Sequence, residues 1–203
     1  MKTKLIILVA TLLATLTAVA QSATEKAFAE ALAAKSHTIE SISCRFEQSR
    51  SMQILASEVK KEGTFNYLRP ECIRLVFDDG DYILMTDSQF RISSAGVEQA
   101  VRIQANPMLK ELKRILSACM TGDVSALAAG FAPTISDEGA TYRVELKPTR
   151  GRMSARMHAI VMLFDKASMS LSMLRMEEAS GDSTTYRFYD KKFNCEVAAD
   201  LFN

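Results

Sequence analysis

The chain has 203 residues, with 25 Lys and Arg against 24 Asp and Glu and a formal charge of +1. That balance, with no block of like charge, argues against nucleic acid or a polybasic membrane contact. The length and an apolar content of 48% fit one domain with a sizeable core.

Lys2 and Lys4 precede an uncharged apolar run, Leu5 to Ala20, that closes on the small-x-small pattern Ala18-Val19-Ala20. This layout predicts a secretory signal peptide over residues 1–20, cleaved after Ala20. The competing reading is a membrane anchor, but the run falls short of the ~20 apolar residues a spanning helix needs. Gln21 offers no cysteine for lipid attachment. The expectation is an exported, soluble chain, residues 21–203, forming a single domain. Without Lys2 and Lys4 it carries 23 basic and 24 acidic residues, a charge of about −1. No later run is long enough to cross a bilayer.

Thr24 to Lys35 reads as a helix, with Phe28, Ala31 and Leu32 on one side and Thr24 as its cap. From Ile39 the period becomes strand-like: Ile42, Cys44 and Phe46 alternate with Ser43, Arg45 and Glu47. Gly63 to Leu68 is a second strand, with Phe65 and Tyr67 on one face. A third holds Ile73, Leu75 and Phe77, and the Asp78-Asp79-Gly80-Asp81 turn follows. Tyr82 to Met85 and Gln89 to Ser93 continue the series.

Asn106-Pro107 then signals a helix start. Met108, Leu112, Ile115 and Cys119 recur at helical spacing, Leu109 and Leu116 widen the stripe, and Gly122 ends it. Asp123 to Ala129 allows one more helical turn. Strands return at Thr134-Ile135, Tyr142 to Leu146, Met157 to Phe164, Met169 to Met176 and Thr184 to Phe188. About ten strands in one sheet must curl or split. The fold class expected is mainly β (α+β): a curved, unclosed antiparallel half-barrel with an N-terminal helix and a helical lid over an apolar cavity.

Strand alternation turns Phe46, Phe65, Tyr67, Ile73, Leu75 and Phe77 inward, beneath the helix carrying Met108, Leu112, Ile115 and Leu116. Arg69 shares the face of Phe65 and Tyr67, which would bring its guanidinium into the interior, where five donors need acceptors. Alternatively it snorkels to solvent, since Pro70 ends the strand.

No catalytic constellation can be assembled. His37 and His158 are far apart in sequence, and GxSxG, HExxH, P-loop and GxGxxG patterns are absent. The expectation is a non-enzyme without cofactor or metal. The Asp78–Asp81 cluster lacks the further ligands of a calcium loop and reads as a solvated turn. Cys44, Cys72, Cys119 and Cys195 contain no CxxC; they allow three disulfide pairings, or serve as four small buried hydrophobes. Met153, Met157, Met162, Met169, Met173 and Met176 form a cluster that suits either core filling or an adaptable apolar surface.

The run Gly63-Thr64-Phe65-Asn66-Tyr67-Leu68-Arg69-Pro70-Glu71-Cys72-Ile73-Arg74-Leu75 resembles the signature strand pair of the LolA family, periplasmic carriers of outer-membrane lipoproteins. Upstream, Ser43 to Gln48 is similar to the family's first strand, which ends Phe-x-Gln. Downstream, Thr184 to Phe188 and Asn194 to Phe202, closing on Asp200-Leu201-Phe202, resemble its ending. The cysteines depart from the family pattern, Leu75 replaces a usual aromatic, and the chain has no Trp.

The resemblance implies a monomeric carrier whose cavity takes the acyl chains of a lipoprotein. It would load from an inner-membrane ABC lipoprotein-releasing complex and unload to an outer-membrane acceptor. It also implies that Arg69 is a latch tying barrel to lid. The same shape would serve a module for another apolar ligand, such as a glycolipid, or an envelope-stress sensor.

Overall fold

A computed structural model describes residues 23–55, 57–86, 90–100, 107–121, 123, 126, 130–149 and 153–202. The expected signal segment, residues 1–20, lies outside the described residues. Residues 23–36 form helix α1. Six strands follow: β1 (Ser41–Ser51), β2 (Val59–Leu68), β3 (Cys72–Phe77), β4 (Tyr82–Met85), β5 (Phe90–Ser94) and β6 (Val97–Ala100). Helix α2 (Pro107–Thr121) leads to β7 (Phe131–Glu138), β8 (Thr141–Pro148), β9 (Met157–Asp165), β10 (Ser170–Glu178) and β11 (Ser183–Phe193). A short 3-10 helix, Ala199–Phe202, closes the chain beside β3.

All eleven strands join one antiparallel sheet in the order β6-β5-β4-β3-β2-β1-β11-β10-β9-β8-β7. Two meanders are therefore joined along β1 and β11, and the sheet stays open at β6 and β7. A sheet of this width must curl. Its inner face carries one apolar core to which α1 and α2 both contribute, as the alternating pattern anticipates.

The registers show how that face is built. Phe65 lies opposite Leu75, Tyr67 opposite Ile73, and Gly63 opposite Phe77. On the other meander Leu174 pairs with both Met162 and Tyr186, and Met176 with Ile160. Phe28 of α1 meets the rings of Tyr142 and Phe164 edge-on at 5.5 and 5.1 Å, so α1 packs over β8 and β9.

Several elements run longer than the alternation predicts. The ends of β1 and β11 pair Arg50 with Thr184 and Ser51 with Ser183, polar residues that continue the ladder without a hydrophobic rhythm. Strand β6 has no counterpart in the sequence reading, because all four of its residues are exposed. It exists because Ala95 and Gly96, with φ of 51° and 77°, form the tight turn that folds it back on β5.

Candidate ligand cavity

Phe46, Phe65, Tyr67, Ile73, Leu75 and Phe77 are all buried, and they share one core with Leu112, Ile115 and Leu116 of α2. The side chain of Met108 lies outside what is described. The helix is held from both sides. Its apolar stripe faces the sheet, with Cys119 Sγ 3.9 Å from Met162 Sδ. On its polar flank, Lys113 Nζ donates to the Thr86 carbonyl at 2.6 Å and sits 3.7 Å from the Glu71 carboxylate. The Arg114 guanidinium pairs with buried Glu111 and lies over the Phe131 ring.

The six strand residues pack tightly, and the open space lies elsewhere. A cavity of ≈ 580 Å³ sits toward one end of the sheet. Its apolar lining comes from Ile83, Leu112, Met153, Met157, Met176 and Tyr186, with Gln48 beside Tyr186, and its polar lining from Arg50, Arg156, Glu178 and Thr184 forms the rim. Of the six residues expected to line a cavity, Phe65 borders a second space of ≈ 20 Å³ beneath Leu116 and Met120, with room for about one water. The methionine cluster divides between the two settings that its sequence allowed. Met153, Met157 and Met176 line it, whereas Met162 and Met169 are buried in the packed core.

The turns around the large cavity touch. The Gln53 backbone N–H donates to Asp182 Oδ1 at 2.9 Å, joining the β1–β2 connection to the β10–β11 turn. Inside, the Gln48 side-chain amide donates to the Tyr186 hydroxyl oxygen at 2.7 Å. Burial pushes the Tyr186 pKa up, so the phenol is neutral and its hydrogen remains a donor. Neither Arg50 nor Arg156 has an ion-pair partner among the described residues, and both are exposed.

Arg69 differs from expectation. Strand β2 ends at Leu68, so alternation stops before it, and the Arg69 side chain is 32% exposed. Its guanidinium donates to the Ser36 carbonyl at 2.8 Å and to the Ile39 carbonyl at 2.8 and 3.1 Å. Those acceptors close the C-terminal end of α1, where a cation is favoured. The tie therefore runs from the β2–β3 turn to the α1–β1 junction, not to α2. Its geometry is the forked, multi-acceptor kind that only Arg supplies.

All four cysteines are free thiols. Cys44 and Cys119 are buried, and burial pushes each pKa up to about 12. Beside Cys44, Lys191 donates to Ser170 Oγ at 3.0 Å, and burial holds its pKa below the usual lysine value.

The family model described as outer membrane lipoprotein carrier protein LolA matches residues 37–203. No curated protein matches the chain. Among solved structures, a DUF1329 family protein from Desulfovibrio piger superposes with a TM-score of 0.51 at 10% identity, covering 88% of this chain and 96% of that one. The MucA/MucB complex of Pseudomonas aeruginosa superposes at 0.51 with 15% identity, covering 87% of this chain and 60% of the matched one. A LolA superfamily protein from Nitrosomonas europaea gives 0.43 at 12% identity, with coverages of 86% and 97%. At these identities the likeness concerns the fold alone.

Proposed function

This chain belongs to the LolA family, and from that premise we propose that it is a periplasmic carrier of acylated lipoproteins. The observation that carries the reading is the ≈ 580 Å³ cavity between α2 and the sheet, lined by flexible Met153, Met157 and Met176. Its size is that of a ligand site, for which ~300–1,000 Å³ is usual. Methionines adapt to alkyl chains of varied shape. Each buried CH₂ contributes ~0.8 kcal/mol, enough to hold a lipid anchor without reading its sequence.

In this account the chain is exported by its signal peptide and receives cargo from an inner-membrane ABC complex. It then yields that cargo to an outer-membrane acceptor with greater affinity. The carrier needs no bound nucleotide, because transfer runs downhill. A cavity of this size takes more chain as α2 lifts, exposing Phe65 and its neighbours. The experiment is transfer of a fluorescent triacylated peptide from loaded protein to outer-membrane vesicles. Transfer faster than spontaneous partitioning supports a carrier; transfer at the spontaneous rate rejects it.

A further inference from the structure

We propose that the cavity selects acyl chains whose polar head is anionic, and that Arg50 and Arg156 on its rim are the residues that read the charge. The proposal rests on the reading of the cavity as an acyl-chain site and adds the chemistry of the head. Arg50 leaves β1 near its end, where it pairs with Thr184, and Arg156 lies in the turn just before β9. The two enter the same rim from opposite meanders.

Arg45, Arg69, Arg91, Arg114, Arg143, Arg175 and Arg187 each have a carboxylate within 4 Å. Arg50 and Arg156 have none among the described residues, and neither does Arg74, which donates to the Leu201 carbonyl; Glu178 lines the same cavity. Among the residues that line the opening, two guanidiniums stand against one carboxylate, with Asp182 in the adjoining turn bound to the Gln53 backbone amide. A chain seated against Met153, Met157 and Met176 brings its head to that rim. The planar guanidinium fork matches the oxygens of a phosphate or carboxylate. The Tyr186 hydroxyl, held by Gln48, offers a neutral donor deeper in, suited to the ester carbonyl that joins chain to head.

The anion has two possible sources, a lipid phosphate and an acidic side chain next to an acylated cysteine. Two probe sets separate them. The first is lysophosphatidic acid, lysophosphatidylcholine and monoacylglycerol with the same fluorescent chain. The second is an acylated Cys-Asp peptide and its Cys-Asn counterpart. Binding of each is measured with the full mature chain, the Arg50→Gln and Arg156→Gln variants, and their combination.

The expected result is roughly tenfold tighter binding of the anionic member of at least one set, a preference that shrinks in raised salt. The double variant binds the anionic and neutral members of each set alike. The set with the larger preference names the source. Both arginines are exposed, so a glutamine at either leaves the core intact. Equal binding within both sets overturns the charge reading while the acyl cavity stands. Binding of no probe overturns both. Displacement of lysophosphatidic acid by inorganic phosphate at equal concentration makes the rim a free-anion site and overturns the proposal.

Discussion

At Gly63 the β2 backbone passes under the Phe46 ring, and a Cβ built there would lie 2.2 Å from the Val76 carbonyl oxygen and 2.8 Å from that ring. Neither neighbour has room to retreat, because Phe46 is fully buried and Val76 belongs to β3. Gly63→Ala is therefore expected to lower unfolding free energy by about 1–3 kcal/mol, the usual cost of overpacking, measured by urea denaturation. An unchanged midpoint and slope would show that the Phe46 contact is not tight. Arg69 leads to a stability expectation. Its guanidinium ties the end of α1 to the β2–β3 turn. Arg69→Leu is expected to lower unfolding free energy by about 1–3 kcal/mol, with Arg69→Lys a poor rescue because lysine lacks the fork. An unchanged urea midpoint would show that the tie contributes nothing. For the cysteines, Cys44 and Cys119 should resist alkylation at pH 8 in the folded protein, since burial keeps both as thiols, and should react on unfolding. Mass analysis showing rapid native labelling at either would contradict their burial.

Helix α2 shows what sequence periodicity conveys and what it leaves out. Helical spacing picked out Leu112, Ile115 and Leu116, and all three are buried against the sheet. Spacing carries no information about depth, however. Leu112 borders the large cavity, Leu116 the small one, and this difference depends on where the sheet beneath is filled by aromatics and where by methionines. Leu112→Glu is expected to weaken acyl-probe binding by at least tenfold while leaving the strand signal in circular dichroism in place. Unaltered probe affinity would take α2 off the binding path. Among the strands, the turns are pinned by carboxylates. The Arg45 side chain holds the Asp78 carboxyl below the usual range, Lys61 does so for Asp81, Lys166 for Asp137, and the Ser168 backbone amide for Asp165. Each folded pKa lies below its unfolded value. The stabilisation is therefore complete above the ordinary carboxylate pKa and fades as pH falls through the lowered values, below about pH 4. Melting temperature should be flat from pH 6 to 8 and drop below about pH 4, with a smaller drop in high salt because these groups are exposed. A fall beginning near pH 6 would implicate other groups.

For the molecule as a whole, alternation in β1 to β3 and β9 to β11 was enough to read a curved, unclosed antiparallel sheet with a terminal helix and an inserted one. The Arg-Pro segment after Tyr67 pointed to the family. The position of the cavity was not legible, because an aromatic strand face looks the same in sequence whether it is packed solid or lines a void. The rings of Phe77, Phe46, Tyr186, Phe188 and Phe65 touch in that order as one chain, filling the middle of the sheet. The space remains where Ile83, Met157 and Met176 replace them. Arg69 was legible in part: its donors do take several carbonyls, but alternation was carried one residue past the end of β2. The central claim is that this cavity holds the acyl chains of lipoproteins. Its most direct test is native mass spectrometry of the protein recovered from the periplasmic fraction of expressing cells, followed by organic extraction and identification of what it carried. The account predicts an adduct that resolves into an acylated protein and is lost when Leu112 is replaced by Glu. Recovery of the chain without any acylated protein, from cells that are exporting lipoproteins, would contradict it.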